Sequence, residues 1–237
     1  MDVLTQIQAV TFDVGGTLIE AHPSVGHVYA EVAARHGWKG LCAETLTRRF
    51  KAAWGRHHPF QHSRSEWAQV VDETFCGLVN PPPSRSFFPE LFERFAQPDA
   101  WRVFDDVFPA LDRLASSGLK LGIISNWDER LRPLLHRLKL DTFFEVVVVS
   151  WEVGFGKPSP IIYEQALRKL ALAPPAVLHV GDDPELDVSA ARDAGLQARL
   201  LSRGSAGALD DHIHSLKDLR ELLQPARPRA TTPGSVF

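Results

Sequence analysis

Ala9-Val10-Thr11-Phe12-Asp13-Val14-Gly15-Gly16-Thr17 is the stretch that decides the fold. Ala9–Phe12 is short, β-branched or aromatic, and stops at an acid followed shortly by two glycines. That is the form of a buried strand ended by a turn. The form recurs. Leu119–Ile124 ends at Ser125 and Asn126, Val146–Val149 at Ser150, Val177–Val180 at Gly181 and Asp182, and Ala198–Leu201 at Ser202. None alternates apolar with polar residues, so a parallel sheet covered on both faces is expected.

Helical patterns fill the gaps from residue 105 onward. Phe108, Leu111, Leu114 and Ala115 share one face before Gly118. Leu131, Leu134, Leu135 and Leu138 recur at helical spacing, with Pro133 pushing the predicted start late. Ser159-Pro160 and Asp183-Pro184 each read as an N-cap with proline at the first helical position. Gly195 closes the helix after the second of these. The expected fold is therefore α/β: a Rossmann-like, doubly wound, five-stranded parallel sheet.

Residues 20–104 break the alternation. They hold no convincing strand, and Val25–His36, Ala43–Trp54, Ser65–Leu78 and Ser86–Ala96 read as helices. The predicted organisation is a core from residues 1–19 and 105–224, an inserted α-helical cap over 20–104, and a mobile tail over 225–237. The linkers fall near Leu18–Ala21 and Arg102–Asp106.

The 237 residues are 44 % hydrophobic and 23 % charged, which excludes a wholly disordered, collagenous or coiled-coil chain. With 26 basic and 29 acidic residues the net charge is −3, so neither nucleic acid nor an anionic membrane is an expected partner. Cys42 and Cys76 form no disulfide framework or zinc spacing. Met1–Val10 lacks the basic-then-apolar order of a signal peptide, and a cytoplasmic location is expected. The expected partner is a small anionic molecule, and the expected assembly a monomer or weak homodimer.

Ligands of open parallel sheets bind beyond the carboxyl ends of the strands. Asp13, Thr17, Ser125, Asn126, Asp182 and Asp183 are placed there, with Lys157 in the irregular Gly154–Pro158 segment. Any one of these has an ordinary explanation: an acid after a strand usually caps a turn, and a lone lysine is usually solvated. Four segments delivering three carboxylates, a hydroxyl, an amide and an ammonium to one crevice are harder to dismiss. Asp183 reads as an N-cap as readily as a metal ligand, and Asp187 as a first-turn acid favoured by the helix dipole.

On these residues the chain resembles the haloacid dehalogenase superfamily, in the subfamily with a helical cap after the first strand. Asp13-Val14-Gly15-Gly16-Thr17, Ile124-Ser125-Asn126, Lys157-Pro158 and Gly181-Asp182 with Asp187 match its four motifs in order. The resemblance implies a hydrolase, most readily a phosphatase for a small phosphorylated metabolite, with Asp13 as nucleophile forming an aspartyl phosphate. It implies Mg²⁺ held by Asp13, Asp182 and the Gly15 carbonyl. Ser125 and Asn126, with Gly16 and Thr17, would bind the phosphoryl group, and Lys157 would neutralise charge on it and on Asp13. Pro158 disfavours a helical backbone at Lys157. Asp187 would orient Lys157 or a metal-bound water, with Asp183 in a lesser supporting place.

One position departs from the pattern. Phosphatases of the superfamily carry a second Asp two residues after the nucleophile, where this chain has Gly15. General acid–base catalysis is typically worth ~10²–10⁴-fold, so slow turnover is expected. Three readings remain open: a slow phosphatase with another acid/base, for which His22 and His27 are candidates; a 2-haloacid dehalogenase or phosphonate-cleaving enzyme; and a catalytically impaired phosphate-binding protein. Phosphonate cleavage would need a cap lysine, Lys39 or Lys51. The cap also carries Arg48, Arg49, Lys51, Arg56 and Arg64 with no acid between Glu44 and Glu66, which reads first as a solvated basic face. His57, His58 and His62 lack metal-ligand spacing. Trp54, Trp67 and Trp101 read as packing residues.

Overall fold

The computed structural model describes residues 7–57, 60, 62–204 and 212–223. Its main sheet has six parallel strands in the order β5-β4-β1-β6-β7-β8. These are β1 (Ala9–Phe12), β4 (Lys120–Ser125), β5 (Val146–Val149), β6 (Val177–Gly181), β7 (Gln197–Leu201) and β8 (His212–Ile213). The sixth strand corrects the expected five. It is only two residues long, too short for any periodicity to mark it, and it forms by pairing with Leu200 and Leu201 at the sheet edge.

Strand alternation explains the two covered faces. Val10 and Phe12 of β1 enter a cluster with α5 (Val107–Ser116) and α6 (Leu131–Arg137), while Ala9 enters another with α8 (Pro160–Leu170). Successive side chains of a strand point to opposite faces, so each strand must be apolar on both. The helix α6 starts at Leu131, ahead of Pro133, not late as expected. Pro133 sits in the first turn, where a backbone N–H would lack an intrahelical partner anyway. Ser159 caps α8 as expected, its hydroxyl accepting from Ile161 N.

Residues 20–104 contain a second correction. Ile19–Ala21 (β2) and Trp101–Val103 (β3) pair antiparallel in a ribbon apart from the main sheet. Three-residue strands leave almost no pattern in sequence, and each needs the other to satisfy its backbone. Between them lie α1 (Val25–Arg35), α2 (Ala43–Trp54), α3 (Arg64–Phe75) and α4 (Phe88–Arg94). Tyr29, Leu46, Phe75, Phe87 and Leu91 form a core of their own, made only of residues from this segment. Ser63 and Glu66 close a reciprocal capping box at the start of α3. The basic cap residues are largely tied down: Arg49 donates to the Cys76 carbonyl, Arg56 pairs with Glu73, and Arg64 lies 3.6 Å from Glu93 and over the Phe92 ring. No described helix is long and apolar enough to cross a membrane. The tail expected to be mobile, 225–237, lies outside the described residues.

Candidate active site

The chain runs from β1 to β4 and β5 on one side, then crosses to β6 on the other, so the strand order reverses at β1. The loops there diverge and leave a crevice beyond the strand ends. Asp13 ends β1 and is 8 % exposed. Its Oδ1 accepts from Ser125 Oγ at 3.0 Å and Lys157 Nζ at 2.6 Å. Lys157 Nζ also donates to Asp187 Oδ1 at 2.5 Å. Burial alone would lower the Lys157 pKa, but the charges of Asp13 and Asp187 outweigh it and hold the ammonium above its ordinary value. Burial opposes ionisation of Asp187 too, and Lys157 and His179 reverse that, holding its carboxyl below the usual range. Asp13 is raised, by burial first and by the Asp187 charge, against the opposing pull of Lys157.

Asp182 is the most open of the acids. Thr17 Oγ1 donates to its Oδ1 at 3.2 Å, and Gly16, at φ +78°, lets its carboxyl approach so closely that a Cβ would lie 2.3 Å from Oδ2. Its pKa is pushed up to about 7, by desolvation and then by the negative charges of Asp13 and Asp187. Carboxylate oxygens of Asp13, Asp182 and Asp187 lie within 4.8 Å of one another. Hard oxygen donors gathered this closely, with the proton affinity of Asp13 and Asp182 raised by neighbouring negative charge, fit a small divalent cation such as Mg²⁺. Gly15 lines the same crevice.

Three expected site residues serve others. Thr17 is fully buried and spends its hydroxyl on Asp182, not on a substrate position. The Asn126 side chain binds the Lys157 backbone through both N and O. Asp183 accepts from Glu185 N and Leu186 N as an N-cap, and is absent from the carboxylate cluster. The π-helical stretch it caps, Pro184–Ser189, turns Asp187 back beneath Gly181, where any Cβ would stand 2.1 Å from Asp187 Cγ. Ser125, Asn126, Gly16, Asp183 and Asp187 all line the cavity with Asp13, Lys157 and Asp182. His22, His27 and Lys39 do not line it, whereas Lys51 does.

Sequence reasoning missed several contributors. His179, fully buried on β6, meets Thr11 Oγ1 at 2.9 Å and Asp187 Oδ1 at 3.3 Å, so it steadies the acid that steadies Lys157. Its signal was a polar residue inside an apolar strand. Asp128 and Arg130 follow β4 and are 1 % and 9 % exposed. Arg130 Nε donates to Asp128 Oδ1 at 2.8 Å and Nη2 to Oδ2 at 2.5 Å, Nη1 donates to the Phe92 carbonyl at 2.7 Å, and Trp67 Nε1 donates to Asp128 Oδ2 at 2.8 Å. This network ties the core to α3 and α4. Trp101 packs tilted against Trp127 with ring centroids 5.2 Å apart and ties the ribbon to the same loop.

Known proteins resemble this chain in sequence and fold. Residues 7–195 match the haloacid dehalogenase-like hydrolase family. The chain is 32 % identical over 240 residues to haloacid dehalogenase-like hydrolase domain-containing protein 3 of Danio rerio, covering 95 % of this chain and 98 % of the relative. Among solved structures, a HAD phosphatase from Thermococcus onnurineus is 26 % identical with a TM-score of 0.66, covering 92 % of this chain and 98 % of the other. A 2-haloacid dehalogenase from Pseudomonas syringae pv. Tomato is 26 % identical with a TM-score of 0.65 and the same coverage.

Proposed function

The chain belongs to the haloacid dehalogenase-like hydrolase family, and on that premise we propose that it is a Mg²⁺-dependent phosphatase working through a phosphoryl group carried on Asp13. The observation behind the reading is the convergence of Ser125 and Lys157 on Asp13 Oδ1, beside a cluster of three carboxylates. Asp13 Oδ2 has no hydrogen-bond partner among the described residues and is the oxygen free to attack phosphorus. Two anions must then meet, and their repulsion has to be offset. Mg²⁺ held by Asp13, Asp182 and the Gly15 carbonyl would supply electrophilic polarisation of the phosphoryl oxygens.

Lys157 is the resident positive charge at the attacking carboxylate. Its ammonium is fixed by Asp187 and its backbone by Asn126, so it does not reorganise as charge develops. Ser125 holds Asp13 in orientation and presents its hydroxyl at the same place. The ester oxygen leaves with its bonding electrons and takes a proton from water, since no carboxylate stands at position 15. Water then attacks the acyl phosphate, releasing orthophosphate and restoring the Asp13 carboxylate. We place the enzyme in the cytoplasm, in line with its composition.

Incubation with acetyl phosphate and Mg²⁺ tests the reading. Intact-mass measurement should show one added phosphoryl group on wild type and none on Asp13→Asn. A second reading, 2-haloacid dehalogenase, is favoured by Gly15, because halide leaves without a proton, and by the likeness to the Pseudomonas enzyme. Halide release from 2-chloropropionate without metal, and no phosphoryl adduct, would decide for it.

A further inference from the structure

Above Asp13 the crevice widens into a cavity of about 1550 Å³. Small-molecule sites usually occupy ~300–1,000 Å³, so a phosphoryl group on a short chain would leave most of it unused. Its cap side is aromatic. Trp54 and Trp67 stack with centroids 4.9 Å apart, and Phe60 stands edge-on to both at 4.7 and 5.0 Å. These three rings are only half-buried, and all of them line the cavity.

His62 is set among them, 4.8 Å from Phe60 and 5.8 Å from Trp54. It is 5 % exposed, lines the cavity, and its Nδ1 has no hydrogen-bond partner among the described residues. An unpaired buried ring nitrogen is costly, and a polar group of a ligand in the cavity would satisfy it. The residue sits at φ 61°, in the left-handed region that non-glycine residues seldom take. Burial depresses its pKa to about 4, only partly countered by Asp128, Glu66 and a hydrogen bond to the Phe60 backbone, so the ring is neutral at pH 7 and leaves Nδ1 for a further partner. At the mouth, Trp151 and Phe155 are 49 % and 51 % exposed and line the same cavity. Large apolar side chains left open at a cavity rim mark a binding surface.

We propose that the group esterified to the phosphoryl is a planar aromatic ring, received between Trp54, Phe60 and Trp67, with His62 hydrogen-bonding a polar substituent on the ring. This rests on the phosphoryl-transfer reading for the position of the phosphate; the ring site itself stands on the cap residues. Ring stacking supplies the affinity, and His62 selects rings that carry a donor or acceptor.

Binding to the full-length protein with Mg²⁺ tests it, using 1-naphthylmethylphosphonate, methylphosphonate and 1-naphthol as probes. The naphthyl phosphonate should bind roughly 10-fold or more tightly than methylphosphonate, in line with aromatic stacking. Trp54→Leu and Phe60→Leu should each remove most of that ratio while leaving methylphosphonate affinity within about twofold. A ring hydroxyl should raise naphthyl affinity in wild type and not in His62→Phe. Equal affinity for the two phosphonates, or a preference that survives both variants, would overturn the proposal, and the wild-type ratio decides alone if a variant does not fold. Tryptophan-dependent binding of 1-naphthol without any binding of methylphosphonate would uphold the ring site and instead refute the phosphoryl-transfer reading.

Discussion

Asn126 clamps Lys157 by its backbone, accepting from Lys157 N at 2.6 Å on Oδ1 and donating from Nδ2 to Lys157 O at 2.8 Å. One side chain thus fixes the segment that carries the site's ammonium. Net contributions of such bonds are ~0.5–1.5 kcal/mol each, so Asn126→Ala should cost about 1–3 kcal/mol of stability in urea unfolding. Because the ammonium is misplaced and not lost, kcat should fall roughly 10-fold or more with little change in KM. A rise in KM alone would make Asn126 a substrate contact instead.

Asp182, held between Thr17 and Gly16, faces two further carboxylates. Without metal, Asp182→Asn relieves repulsion and should melt higher than wild type. With Mg²⁺ at roughly 100 times its Kd, wild type should gain about 2.7 kcal/mol and the variant much less. Calorimetric scans with Mg²⁺ and with EDTA compare the four cases. Equal Mg²⁺ stabilisation of both proteins would remove Asp182 from the ligand set.

Gly15 has ordinary backbone geometry, and a Cβ there meets only Trp127 Cζ3 at 3.3 Å. The indole must yield by a few tenths of an ångström, so Gly15→Asp should fold. A carboxylate beside Asp13 could protonate the leaving oxygen and activate water. The expected gain on an aryl phosphate is roughly 10-fold or more, below the full acid–base range because the loop was not built around it. Asp13→Asn should abolish turnover in both backgrounds. Rapid wild-type turnover unaffected by the change would assign the acid–base step to another residue.

Arg130 and Asp128 form a buried pair whose remaining bonds reach Phe92 and Trp67. Arg130→Met strands a buried carboxylate and should cost ~3–5 kcal/mol, the usual range for breaking one partner of such a pair. Adding Asp128→Asn should restore a substantial part. Because both residues fasten the core to α3 and α4, the single variant should also open the cavity, read as faster hydrogen exchange in those helices. Unchanged exchange there would show that other contacts hold the closed arrangement.

His62 titrates at about 4 in the fold against 6.5 for a free imidazole. Between those values the unfolded chain binds the extra proton, so stability rises with pH over that window and is lost as pH falls from 6.5 toward 4. The contribution above the window is up to about 3 kcal/mol at 1.36 kcal/mol per unit. His62→Phe should flatten the wild-type slope across this range in urea titrations. Identical slopes would mean the ring is solvated, and would weaken the case for its unpaired nitrogen.

The sequence by itself determined the α/β class, five of six core strands and the four cap helices, because burial on both strand faces and one-sided helical burial leave local, periodic patterns. It also determined which segments end beyond the sheet: Asp13, Ser125 and Asp182 are legible because a polar residue at the end of an apolar run has few places to go, whereas Lys157, in an irregular segment, was legible only through the family motif. The edge strand β8 and the β2–β3 ribbon were not legible, since two or three residues make no period and exist only through their partners. Tertiary structure alone decided what each polar group does. Thr17 meets Asp182 across 165 residues, and Ser125 meets Asp13 across 112. Trp67 and Asp128 join cap to core, and Trp54, Phe60, His62 and Trp67 gather into one cavity wall. Hydrogen-bond partnership and cavity shape depend on ångström-scale distances between segments remote in the chain, and no local pattern encodes those.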